Sequence, residues 1–395
     1  MRPPTFGFDN APDRRNGDSL KWNKYAGRDV LPLWVADMDF AAPPAVLDAL
    51  QQRVAQGCLG YPLPWPSLVD AVLGYLQRAY AWSVEPESLV WLPGLVTGIN
   101  VACRAVDGDV ITATPIYPPF LSAPGLSGKK LATAPLRLEG DRWGWNFAAL
   151  EAALTPETRL LLLCHPHNPV GRVWDADELA KLAEFCTRHD LIICSDEIHC
   201  GLILDAELSH TPFAALGAAI AERSITLMAP SKTYNIPGLA CSFAVIPNAA
   251  LRRRFTAVMR GIVPDVNVLG LVAAEAAYRH GEDWRLALIE VLRRNRDRVQ
   301  SAVAAMPGLS MTPVEATYLA WIDARGLGVD DPAAFFEAAG VGLSSGRDFG
   351  LPGWVRLNFG CTQETLDAAL ERMSRACSSC GRQFQTSQSF RQTLE

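Results

Sequence analysis

No uninterrupted apolar run in this chain is long enough to cross a bilayer, and its first residues, MRPPTFGFDNAPDRRNGD, lack the apolar core of a secretory leader. A cytoplasmic protein without a membrane partner is the expectation. An excess of positive charge is also missing: 36 Lys and Arg stand against 42 Asp and Glu, a formal net charge of -6. Such a chain has no general attraction for a polyanion, so no nucleic-acid partner is expected. No internal repeat stands out. The ten cysteines lack the regular spacing of a disulfide framework; Cys103, Cys164, Cys194 and Cys241 fall within or beside apolar runs and are expected to be reduced, packed thiols. Cys377 and Cys380 form a C-x-x-C, but neither a second pair nor a histidine cluster completes a zinc site, and no metal is expected.

What the chain does have is apolar material. Hydrophobic residues make up 49% and charged residues 20%, a globular composition, and 395 residues allow a large core and two domains. The runs DVITATP, RLLLLCHP, LIICSDE, SITLMAP and SFAVIPN alternate with helical patterns, which implies βαβ units and a largely parallel sheet. In the helical stretch DADELAKLAEFCTRHD, Asp175 can cap the start while Leu179, Leu182, Ala183 and Cys186 recur on one face. The LIIC that follows is apolar throughout, as in a strand covered by helices on both sides. After about residue 280 the texture changes to one long basic amphipathic helix and short strands near TYLAWID and WVRLNFG. The expected division is a large α/β domain over 45–280 and a small α+β domain over 281–376. Residues 1–44 join the small domain through DVLPLWVADMDF, and 377–395 form a flexible polar tail.

Open α/β sheets bind ligands beyond the carboxyl ends of their strands. Three of those ends carry chemically different groups: Asn168 in CHPHNPVG, Asp196 in SDEIH and Lys232 in APSK. Singly, each has an ordinary use, as a turn former, a helix cap and a solvated amine. Jointly they fit pyridoxal phosphate, which requires an amine for a Schiff base and an anion that keeps its pyridine nitrogen protonated. Lys232 and Asp196 suit those roles, and Asn168 and His199 can reach the phenolic oxygen of the ring. A Gly-led turn opening a helix in LPGLVTGIN offers the amides of Leu95, Val96 and Thr97 to a phosphate. Tyr117, in TPIYPPF, can lay its ring on the cofactor face.

The ordered series LPLWVADMDF, GYP at Gly60 to Pro62, YPPF, HPHNPVGRVW, SDEIHCGLIL, SKTYNIPGL and RLNFG beginning at Arg356 spans nearly all of residues 20 to 375. It resembles the fold-type I pyridoxal-phosphate enzymes of the class I/II aminotransferase superfamily, specifically the MalY/PatB-type cystathionine β-lyases. The resemblance implies an α/β fold, a mostly parallel sheet flanked by helices with a smaller α+β domain. It implies Lys232 as the Schiff-base lysine, Tyr117 beside it in catalysis, Asp196 as the pyridinium partner and Asn168 as the ring-oxygen donor. Ser231 joins the phosphate contacts, and Arg356, with Asn168 and Ala36, meets an amino-acid substrate. Tyr61 would reach the phosphate of a neighbouring subunit, hence a homodimer with shared active sites. The implied activity is cleavage of cystathionine or related cysteine S-conjugates to pyruvate, ammonia and a thiol. An aminotransferase, using the same lysine and aspartate, is the alternative, and an added regulatory protein-binding role is a third. One position departs from many aminotransferases: eight residues after Lys232, where they carry a phosphate-binding arginine, this chain has Ala240. Losing a guanidinium there shifts the phosphate onto backbone amides, Ser231 and tyrosine, and favours the lyase.

Overall fold

The apolar runs become neighbours because strands buried on both faces must be covered by helices on both. In the computed structural model, which describes the backbone of residues 6–392 and side chains through residue 379, seven strands form the central sheet. They are β2 (Leu89–Leu92), β3 (Asp109–Thr114), β4 (Leu131–Pro135), β7 (Thr158–Cys164), β8 (Ile192–Asp196), β9 (Ser224–Met228) and β10 (Ser242–Val245). Their order is β2-β10-β9-β8-β7-β3-β4, parallel except at β10, which is antiparallel to both neighbours. Cys164 pairs with Asp196, and Asp196 with Leu227, so β7, β8 and β9 end level with one another. The chain therefore leaves three adjacent parallel strands at one edge. Two further strands, β5 (Arg137–Glu139) and β6 (Arg142–Gly144), form a separate ribbon.

Five helices matter for the site and its support: α1 (Leu95–Ala105), α2 (Pro118–Leu126), α3 (Ala176–Arg188), α4 (Glu282–Ala304) and α5 (Gln363–Gln392). Helix α3 starts as its sequence predicts. Asp175 accepts from the Glu178 amide at 2.9 Å while the Glu178 carboxylate accepts from the Asp175 amide at 3.0 Å, a capping box, and such caps contribute about 1 kcal/mol. Leu179, Leu182, Ala183 and Cys186 are all buried on its inner face.

A second, antiparallel sheet is built from β11 (Ser310–Met311), β12 (Leu319–Asp323), β14 (Ser344–Ser345) and β15 (Trp354–Asn358), with α4 against it. The N-terminal segment reaches the same region: β1 (Leu31–Pro32) pairs in parallel with β13 (Val341–Gly342). Residues 33–40 then lie between the two sheets. From the second sheet's side, the Asn358 amide donates to the Val35 and Asp37 carbonyls at 2.6 and 2.9 Å. From the central sheet's side, the Asn235 amide donates to the Met38 and Phe40 carbonyls at 3.0 and 2.7 Å.

Helix α5 runs to Gln392, and its buried stripe of Leu366, Ala369, Leu370, Met373 and Cys377 reaches the first residue of the segment expected as a flexible tail. The Cys380 side chain and residues 393–395 lie outside the described residues. Cys103, Cys164, Cys194 and Cys241 are buried free thiols, as expected. Among the described residues, no helix is long and apolar enough to cross a membrane.

Candidate active site

The level strand ends bring the candidate residues together. Asp196 is the last residue of β8, while Asn168 and Lys232 each stand four residues beyond their strands. Together with Ala36, Leu95, Val96, Tyr117, His199, Ser231 and Arg356 they line one cavity of about 220 Å³. Of the residues expected here, Thr97 lies outside the lining, one residue further along the same helix start, and Tyr61 is elsewhere, its side chain fully exposed on the 57–65 connection.

Lys232 is partly buried, and its Nζ donates to the Ala36 carbonyl. Burial lowers its pKa to about 8, with Arg356 pulling the same way and Asp37 and Asp196 opposing. Asp196 is buried, and its Oδ1 accepts from the Ile198 amide at 3.1 Å. Burial raises its pKa to about 7, and Glu197 adds to the rise. No cation stands within ion-pair distance of Asp196 among the described residues.

Arg356 is the mirror case. It lies buried on β15, where it pairs with Trp321 and Ser344 across the sheet. One Nη donates to Asn168 Oδ1 at 2.9 Å and the other to the Trp34 carbonyl at 2.9 Å; the guanidinium lies over the Phe349 ring at 4.7 Å. Its Nε has no partner, and no carboxylate forms an ion pair with it among the described residues. Burial pulls its pKa down to about 10. A buried guanidinium without a counter-charge is costly, and an incoming carboxylate relieves that cost. Because Arg356 takes the Asn168 carbonyl oxygen, the Asn168 amide nitrogen is left as a donor toward the cavity.

His199 is buried edge-on to Tyr318 with its Nδ1 unpartnered. Burial, with the charges of Lys232 and Arg356, lowers its pKa to about 3, so the imidazole is neutral. Tyr117 precedes α2, and burial beside Asp196 raises its phenol's pKa. At the start of α1 the amides of Leu95, Val96 and Thr97 have no acceptor within the helix, as at any helix N-terminus, and form a ready anion site. Ala240 is not part of the cavity lining; it takes a left-handed φ of 47° after the Pro237–Leu239 turn.

A cofactor with a protonated ring nitrogen, a ring oxygen and a phosphate therefore finds complementary groups: an uncompensated carboxylate, a free amide donor and a helix N-terminus. Sequence reasoning missed Val35, Cys164, Ile198 and Pro237 in the lining, and Tyr318, whose hydroxyl donates to the Ala36 carbonyl at 3.0 Å. Val35 stood inside a recognised motif; Tyr318 gave no local signal.

The family model described as aminotransferase class I and II matches residues 28–373. Over 388 residues the chain is 37% identical to cystathionine beta-lyase PatB of Bacillus subtilis (strain 168), covering 94% of this chain and 100% of PatB. It superposes on the crystal structure of OvoB with a TM-score of 0.93 at 52% identity, over 95% of this chain and 100% of that one. It superposes on cystalysin from Treponema denticola, which contains pyridoxal 5'-phosphate, with a TM-score of 0.91 at 31% identity, over 95% of this chain and 100% of that one.

Proposed function

This chain belongs to the aminotransferase class I and II family, and from that premise we propose that it is a pyridoxal-phosphate-dependent carbon–sulfur β-lyase. Its substrate is cystathionine or a related cysteine S-conjugate, and its products are pyruvate, ammonia and a thiol. The observation that carries the reading is the meeting, in one cavity, of an amine, a carboxylate and a guanidinium, none of them in an ion pair among the described residues. The cofactor, when bound, supplies an electron sink that acidifies the substrate's α C–H bond.

The chain's own residues do the rest. With the cofactor bound, Asp196 would hold a proton at the ring nitrogen, Asn168 would donate to the ring oxygen and Tyr117 would pack against the ring. Leu95, Val96 and Ser231 would hold the phosphate, with Tyr61 from a second copy completing the set. A fully exposed Tyr61 between exposed Leu59 and Leu63 supports that homodimer. Arg356 clamps the substrate carboxylate and orients the α C–H bond. Lys232, its pKa near 8, is poised to take the α-proton. In the net reaction the Cα–H and Cβ–S bonds break, and the sulfur leaves with the bonding pair. One water then supplies the oxygen of pyruvate as nitrogen departs as ammonia. Buried reduced thiols support a cytoplasmic setting.

The reading is tested by incubating the purified, cofactor-loaded protein with cystathionine, cystine and S-alkylcysteines while measuring pyruvate and thiol. Release of both supports the lyase. Turnover that depends on an added keto acid, without either product, replaces it with an aminotransferase.

A further inference from the structure

Beside Asp196 the chain carries a second buried carboxylate that the proposed chemistry does not use. Glu197 is wholly buried at the end of β8. Its Oε1 accepts from the Ser195 hydroxyl and from the Phe213 amide, each at 2.9 Å, and its Oε2 lies 2.7 Å from His210 Nε2. Burial raises the Glu197 pKa to about 7, whereas three donors on one carboxylate favour its ionised form.

The surroundings do not neutralise that charge. His210 stacks on His165 at 4.4 Å, and burial lowers both imidazoles to about 3, so each is neutral. With Nε2–H donating to Glu197, the His210 Nδ1 is an acceptor with no partner, as is the His165 Nδ1, since His165 Nε2 donates to the Thr211 carbonyl at 3.1 Å. Tyr80 and Cys200, also near this pair, are held in their neutral forms by burial. Asp196 is faced by Tyr117, Cys164 and Cys194, all neutral, and by the Lys232 amine, which acts to lower its pKa.

We infer that Glu197 is a positioning residue for the proton at Asp196: a buried carboxylate, held by Ser195, Phe213 and His210, whose charge, once it ionises, keeps Asp196 and the ring nitrogen it faces protonated as a unit to higher pH. The inference rests on the cofactor reading above. Its physical basis is that a neighbouring negative charge in a low-dielectric site raises the proton affinity of whatever stands beside it. A purely structural Glu197, anchoring the Phe213 turn, would serve equally well as an uncharged amide.

Glu197→Gln separates the two, because glutamine keeps the shape and an acceptor for Ser195 and Phe213 while removing the charge. Parent and E197Q are loaded with pyridoxal phosphate carrying 15N in the ring, and the nitrogen's chemical shift is followed against pH. The parent ring should stay protonated to higher pH, and E197Q should lose the proton at least about one pH unit lower, tenfold or more in proton affinity. A ring nitrogen protonated over the same range in both proteins overturns the inference and leaves Glu197 as an anchor. If E197Q does not fold, Ser195→Ala, which removes one donor and weakens the ionised carboxylate, must shift the titration in the same direction; no shift overturns it equally. A parent that takes up no cofactor at all would instead refute the cofactor reading.

Discussion

Asp196 illustrates how one side chain's environment declares its use. A carboxylate buried without a cation, with only the Ile198 amide as a donor, is unstable as an anion unless something positive arrives. Asp196→Asn keeps an acceptor for that amide but cannot hold a proton at a ring nitrogen. The expected result is a loss in the rate of thiol release on the order of 10³-fold, roughly 4 kcal/mol in the barrier. Steady-state assays of thiol release check it; a variant within about tenfold of the parent would make Asp196 a cap for residue 198 and nothing more. At this scale the sequence was informative: Asn168, Asp196 and Lys232 announce themselves because each sits at or a few residues beyond the end of an apolar strand. Tyr318 and Glu197 did not. Their partners are set by tertiary packing, and neither contact leaves a periodic trace in the chain.

Among the elements, residues 33–40 couple the two sheets through hydrogen bonds from Asn235, Tyr318, Arg356 and Asn358. The Ala36 carbonyl accepts from both Lys232 Nζ and the Tyr318 hydroxyl. With Lys232 engaged by the cofactor, as proposed above, Tyr318 would be the remaining donor of the two. Tyr318→Phe should therefore lower the unfolding free energy of the loaded protein by about 1 kcal/mol, and that of the cofactor-free protein by less. Denaturant unfolding of both forms measures the difference, and a larger loss in the cofactor-free protein would contradict it. This strap was legible only as a motif, since its partners lie from 195 to 323 positions away. The core strands and the α3 cap were legible because their signals are local. In helix α5 the buried stripe at Leu366, Leu370, Met373 and Cys377 follows the helical period up to the Ser- and Gln-rich end of the chain.

Over the whole molecule, burial of histidine makes stability depend on acid. His165, His167, His199 and His210 are neutral when folded, with values lowered to about 3 or 4 from the ordinary 6.5. A depressed histidine contributes stability that is complete above its unfolded value and is lost as pH falls toward its folded one. Asp196 and Glu197, raised to about 7, act oppositely: their contribution is complete below their unfolded values and fades as pH rises through 7. Between about pH 6 and 4.5 the unfolded chain thus binds a net two more protons, and stability of the cofactor-free protein should fall by about 3 kcal/mol per pH unit. Urea midpoints across that range test it, and a flat profile would contradict the burial of neutral imidazoles. For the proposed lyase, loaded with cofactor, the most direct measurement is the stoichiometry of pyruvate and thiol formed from cystathionine or another cysteine S-conjugate, without keto acid, with Lys232→Ala as control. One pyruvate per thiol is expected from the parent and neither from the variant. Amino-group transfer to an added keto acid, with the carbon–sulfur bond intact, would contradict it.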